Sequence, residues 1–210
     1  MGKDESNQDN IVSIYFVVND IKGGNDVNNI INQIMYKSSM NLYHFIHGCG
    51  YIKDKNLFFI GSSMGSWIAL NLFSFFKKQI KGFIGIASAP EFLEKLMWKK
   101  FSKKIKKIIM TKKIYHLEHG GFIYPITKQL IFDGRKNKVL NNKINLKIPI
   151  VLFHGTKDEV VPLNLSKKIF KICKKSKKKL IKIKNGDHSL SRKSDLKKIC
   201  NELNYMLTNI

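Results

Sequence analysis

The strongest constraint in this chain lies in residues 57–73. Leu57-Phe58-Phe59-Ile60 leads into Gly61-Ser62-Ser63-Met64-Gly65, and Trp67-Ile68-Ala69-Leu70-Asn71-Leu72-Phe73 follows. A short apolar run of the first kind suits a strand buried on both faces. The last stretch reads as a mostly apolar helix packed under a sheet. The five residues between them match G-x-S-x-G and leave room only for a very tight strand-to-helix turn. Gly61 and Gly65 flank the serine where strand and helix cross too closely for side chains. Ser63 is then held exposed at the top of the sheet, with the Met64 N–H beside it. Taken alone, the pattern equally describes a glycine-rich turn with an incidental serine.

Two later strand ends change that balance. Ile148-Pro149-Ile150-Val151-Leu152-Phe153 is short, apolar and β-branched, and runs into His154-Gly155-Thr156-Lys157-Asp158. Asp158 stands in a polar turn closed by Val160-Val161-Pro162, with Glu159 as the adjacent rival; most loop aspartates only cap or turn the chain. Leu180-Ile181-Lys182-Ile183-Lys184 alternates like a strand and is followed by Asn185-Gly186-Asp187-His188. A histidine on the loop after a last strand can swing over a nucleophile. His44, His47, His116, His119 and His154 lack that setting.

Nucleophile, acid, then histidine is the chain order of the α/β-hydrolases. Ser63 is thus the expected nucleophile, Asp158 the acid that orients the imidazole, His188 the base, and the Met64 N–H an oxyanion donor. The expected fold is an α/β-hydrolase fold, a mostly parallel sheet with helices on both faces. Strands are expected at about 11–18, 57–61, 82–87, 149–154 and 179–184, and helices at about 26–46, 64–78, 163–173 and 193–207. Residues 90–147 interrupt the alternation. A structureless loop of that length is unusual, so the stretch reads as a helical cap inserted into one domain of residues 1–210. Phe92, Met97 and Trp98 would line an acyl pocket if they face Ser63, and cap-to-body packing is the equal alternative. Gly120-Gly121 reads as a hinge or a turn.

Further motifs narrow the branch. Gly61 to Trp67, Gly85-Ile86-Ala87-Ser88-Ala89-Pro90-Glu91-Phe92 with Leu96-Met97-Trp98, Tyr124-Pro125-Ile126-Thr127, Leu130 to Arg135 and Gly186 to Ser191 recur together. Over about residues 57–208 the chain resembles the mitochondrial palmitoyl-protein thioesterase and acyl-glucuronide esterase branch of the α/β-hydrolases, with its bacterial relatives. The resemblance implies the same Ser63, Asp158 and His188 roles, and an ester or thioester with an apolar acyl group as substrate. Depalmitoylation of proteins is implied by it alone. That branch usually has glycine where Ser66 stands.

Upstream the chain departs from this pattern. The branch's second oxyanion N–H comes from a loop after an early strand, and residues 1–40 contain no His-Gly or Pro-Gly loop in that position. Ile11 to Val18 and Asp26 to Phe45 resemble the strand and helix just before the serine's strand, so the opening strands are expected to be missing. A divergent N-terminus, a truncated gene model and a decayed gene each produce such a sequence. Loss of one oxyanion donor costs about 10²–10³ in rate. The alternative reading is therefore a weak or inactive hydrolase-like binding module, or a fragment.

Composition excludes more than it assigns. The formal charge is +23, yet among the 38 basic residues only Arg135 and Arg192 are arginine. Abundant lysine, asparagine and isoleucine fit coding bias in an AT-rich genome, and no nucleic-acid module accompanies the charge, so no specific nucleic-acid partner is expected. Phe101, Ile105, Ile108 and Ile109 recur at helical spacing among Lys99 to Lys107, giving a basic helix face: a solvated surface, or a weak attraction to anionic membrane or acidic acyl carriers. Cys49, Cys173 and Cys200 are scattered, which suits free thiols in a reducing compartment. No metal-ligand cluster and no cofactor motif is present. The polar N-terminus resembles neither a signal nor a transit peptide, so the expected place is cytoplasmic, or mitochondrial for a eukaryotic source lacking its N-terminus. Met1-Gly2…Ser6 fits the myristoylation pattern loosely, with Lys3 against it. Oligomeric state is not legible.

Overall fold

In the computed structural model, the residues described are 14–18, 57–119 and 122–209. The expected helix at 26–46, the expected oxyanion loop, His44, His47, Cys49, the Met1-Gly2 terminus and Gly120-Gly121 lie outside them. Among the described residues there is one five-stranded sheet, in the order β1-β2-β3-β6-β7. Its strands are β1 Ile14–Val18, β2 Leu57–Ser62, β3 Ile80–Ile86, β6 Ile150–Gly155 and β7 Lys178–Ile183. From β2 to β7 every pairing is parallel. Among the described residues β1 pairs with β2 alone and runs antiparallel to it, so the sheet is mostly parallel, as expected. An edge strand has one neighbour, so its reversal disturbs no second ladder.

Alternation along β2 divides the core. Leu57 and Phe59 point to one face, with Phe83, Ile150 and Leu152, and meet helix α1 (Met64–Leu72) and helix α4 (Leu163–Ile172) through Trp67, Leu70 and Ile169. Phe58 and Ile60 point to the other, with Ile84, Val151 and Phe153, against Ile199, Leu203 and Met206 of helix α5 (Lys193–Thr208). Each fully buried side chain of this size stabilises by about 1.5–3 kcal/mol. Helix α1 stops at Leu72, short of the expected 78. The chain turns there because Phe73 and Phe76 both fold back on Phe59, at 6.1 Å between ring centroids.

Between β3 and β6 the chain is not purely helical. A π-helical turn (Leu93–Met97), helix α2 (Lys103–Lys112) and helix α3 (Lys128–Lys136) are joined by a hairpin of β4 (Ile114–His119) and β5 (Phe122–Thr127). The strand pattern is in the residues: Tyr115 and Leu117 alternate inward onto Ile109, Ile126 and Ile131, while His116 and Glu118 face solvent. Ser102 and Thr127 cap the two helices, accepting from the Ile105 and Leu130 N–H groups at 3.2 and 3.0 Å. In α2, Ile105 and Ile109 pack inward beside Phe101, which precedes the helix, and Lys103, Lys104 and Lys107 stay in water.

Glu91 fastens this segment to the sheet. Its Oε1 accepts from the Val139 and Leu140 N–H groups at 3.1 and 2.9 Å, and its other oxygen pairs with Lys95 Nζ at 3.0 Å. The chain leaving β3 is thus tied to the chain returning toward β6. Glu91→Ala would remove the partner of both backbone donors, and for the buried Val139 N–H the cost is about 1–3 kcal/mol. Thermal unfolding of the variant should show a clear loss of stability, and an unchanged Tm would deny the fastening role.

Candidate active site

Ser63 is the single residue between β2 and α1, and its backbone is strained at φ 48, ψ −117. Positive φ is costly for a residue with a Cβ, and the surroundings hold it there. The Ser63 N–H donates to the Ile86 carbonyl at 2.8 Å, and its own carbonyl accepts from Ser66 and Ala89 at 3.2 and 3.1 Å. A Cβ at Gly61 would lie 2.5 Å from the Ser66 backbone nitrogen, so glycine is obligatory at that crossing. Ser66 fits because its hydroxyl donates to Ser88 Oγ at 2.6 Å in the buried layer behind the turn.

Asp158 and His188 reach the serine from the ends of β6 and β7. The loop after β7 presses on the end of β6, where Gly155 has no room for a side chain against the Gly186 and Asp187 carbonyls. Lys157 N–H donates to the Gly186 carbonyl at 2.8 Å and locks the two loops together. His188 Nε2 lies 3.1 Å from Ser63 Oγ and its Nδ1 lies 3.0 Å from Asp158 Oδ2. The carboxylate can only accept, so Nδ1 carries the proton and Nε2 accepts from the serine hydroxyl. Glu159, the sequence rival, is exposed.

The Asp158 side chain is fully buried, yet its carboxyl is held below its ordinary value. Burial pushes its carboxyl up; the hydrogen bond from His188, the Val161 N–H and the nearby imidazoles outweigh this and hold it below the ordinary value. Its Oδ1 accepts from the Val160 and Val161 N–H groups at 3.0 and 2.8 Å. A second imidazole, His154, lies completely buried behind it, with Nε2 at 3.5 Å from Asp158 Oδ2. The sequence reading set His154 aside; its i, i+4 spacing to Asp158 was the available signal.

The other expected contacts are placed as follows. Met64 opens α1 directly after Ser63. Phe92 meets Trp67 edge-on at 6.0 Å and adjoins Ala89, whose N–H bonds the Ser63 carbonyl. Met97 and Trp98 pack into the small core beneath the hairpin, and Arg135 lies over the Trp98 ring at 5.0 Å. Cys173 is buried, and burial pushes its thiol up to about 12 against the pull of Lys178, which makes it inert. Among the described residues there is no group of His, Cys, Asp and Glu able to hold a metal, and no helix long and apolar enough to cross a membrane.

Comparisons with known proteins bear on the fold and on what the chain is similar to. A family model described as Phospholipase/Carboxylesterase matches residues 133–207. "Palmitoyl-protein thioesterase ABHD10, mitochondrial" of Bos taurus is 26% identical over 142 residues, covering 65% of this chain and 45% of the relative. The Mus musculus protein of that name is 28% identical over 142 residues, covering 65% and 47%. The chain spans about half the length of the curated relatives it matches. Among solved structures, a putative hydrolase from Agrobacterium vitis S4 matches with a TM-score of 0.66 at 28% identity, covering 70% of this chain and 60% of that one. Mouse alpha/beta hydrolase domain-containing protein 10 shares the fold with a TM-score of 0.68 at 22% identity, over 79% and 67%. By its sheet, its strand-turn-helix at Ser63 and these likenesses, the chain has the α/β-hydrolase fold and resembles the ABHD10 branch.

Proposed function

We propose that this chain is a serine hydrolase that cleaves carboxylic ester or thioester bonds of apolar acyl substrates. One observation carries the proposal: His188 bridges Ser63 and Asp158 at 3.1 and 3.0 Å, with the ring tautomer that a general base requires. Ser63 Oγ attacks the substrate carbonyl carbon as its proton passes to His188 Nε2. Asp158 stabilises the imidazolium that results. The Met64 N–H receives the oxyanion at the start of α1, where the helix dipole favours negative charge. Collapse expels the alcohol or thiol, which takes the proton from His188. Water then attacks the acyl-enzyme by the same route and frees the acid.

Of Phe92, Met97 and Trp98, we assign Phe92 to the substrate side, since it adjoins Ala89 beside the Ser63 turn, whereas Met97 and Trp98 pack beneath the hairpin. The name of the curated relatives supports an acyl-protein thioesterase as the specific activity, and it supports a mitochondrial setting for a eukaryotic source. The exposed lysines of α2 would add a weak pull toward anionic lipid or acidic carriers.

A fluorophosphonate probe tests the central step. Wild type should label covalently, while Ser63→Ala should not label and His188→Ala should label about 10³-fold more slowly or worse. A chain-length series of p-nitrophenyl esters and thioesters then reads the acyl preference. A folded wild-type protein that resists the probe would instead favour a ligand-binding module without turnover.

Stability should follow Asp158. Its carboxyl is held below the unfolded value of about 3.9, so its contribution is complete above that pH and is lost as pH falls through the folded value. Denaturant unfolding of wild type and Asp158→Asn at pH 7 and pH 3 should show a smaller difference between the two proteins at pH 3. A constant difference would contradict the assigned ionisation.

A further inference from the structure

We propose that His154 is a positioning residue for the same site, a fixed neutral clamp that holds the Asp158 turn in register with His188. The inference rests on the hydrolase reading for its purpose, though not for its test. His154 is the last-but-one residue of β6 and has no exposed surface. Its Nε2 lies 2.9 Å from the Val161 carbonyl, which can only accept, so Nε2 carries the proton. Its Nδ1 then accepts from the Ser166 hydroxyl on α4 at 2.8 Å. The ring is tied at both nitrogens, one to the turn and one to a helix of the sheet's main core.

The tie at Val161 is what reaches the site. The carbonyl of Val161 is held by His154, and the N–H of the same residue donates to Asp158 Oδ1 at 2.8 Å. With Oδ1 taken by Val160 and Val161, Oδ2 is the oxygen presented to His188. His154 Nε2 also lies 3.5 Å from that oxygen. Asp158 and His188 are the charged groups bearing on His154, and burial is the largest influence keeping it neutral. A protonated His154 would compete with His188 for one carboxylate, so neutrality is part of the device.

Two readouts test this. The first is independent of turnover: the downfield proton resonance of His188 Nδ1–H bonded to Asp158, compared in wild type, His154→Gln, His154→Asn and Asp158→Asn. A glutamine amide can reach the Val161 carbonyl in place of Nε2, whereas an asparagine reaches only toward Ser166. The resonance should persist in His154→Gln and disappear or broaden in His154→Asn and Asp158→Asn. The second is the fluorophosphonate labelling rate. His154→Asn should be slower by about 10²-fold, the scale of a 1 Å misplacement, and His154→Gln within a few-fold of wild type. Combined with Asp158→Asn, the His154→Asn change should add little, because a positioning effect has nothing left to position. Equal behaviour of the glutamine and asparagine variants, or full additivity with Asp158→Asn, would overturn the proposal. A wild-type protein that keeps the resonance yet fails to label would sink the hydrolase reading and leave the clamp standing.

Discussion

Everything about this site depends on one strained residue. The chain passes from β2 to α1 through Ser63 alone, at a backbone angle that residues with a Cβ avoid. Three backbone hydrogen bonds, to Ile86, Ser66 and Ala89, hold it there. Two of those partners are not local: Ile86 ends the neighbouring strand, and Ala89 belongs to the loop beyond it. The strain is therefore supported by the pairing of β2 with β3, and that pairing is supported by the aromatic packing of Phe59, Phe73 and Phe83 underneath. A local cost of order 1–3 kcal/mol is spread across a core many times larger.

The acid and the base reach the serine by a different logic. Asp158 and His188 stand on the loops after β6 and β7, the two strands beyond β3, and those loops are joined by the Lys157 to Gly186 hydrogen bond. Strand register thus sets the distance from serine to histidine, and loop-to-loop bonding sets the distance from histidine to aspartate. An error in either would separate the three groups although each remained in place on its own element.

Legibility divides along the same line. Features governed by contiguous residues were readable: the apolar run of β2, the turn at Ser63, β6 with Asp158, and β7 with His188. So was the amphipathic division of α2, since Ile105 and Ile109 stand one turn apart with lysines between them. The hairpin of β4 and β5 escaped because lysine-rich helices flank it and its inward residues, Tyr115 and Leu117, make a short alternation beside a longer helical one. His154 escaped for a more basic reason. Its partners, Val161 and Ser166, lie across a turn and on another helix, and only the folded chain shows that a histidine ending a buried strand has both nitrogens occupied. The reversal of β1 is a matter of edge geometry that no run of side chains encodes.

The Glu91 fastening has a consequence for variation. The stretch beginning at Leu93 and ending near Asn137 enters and leaves the sheet at a shared buried carboxylate, beside the Trp67 indole N–H that holds the Asn137 carbonyl at 2.8 Å. Its two ends are pinned together at the frame, so the length between them is free of the register that β3 and β6 must keep. Such a stretch behaves as an interchangeable cassette: it can be lengthened, shortened or rewritten over evolutionary time while the strands carrying Ser63, Asp158 and His188 stay where they are.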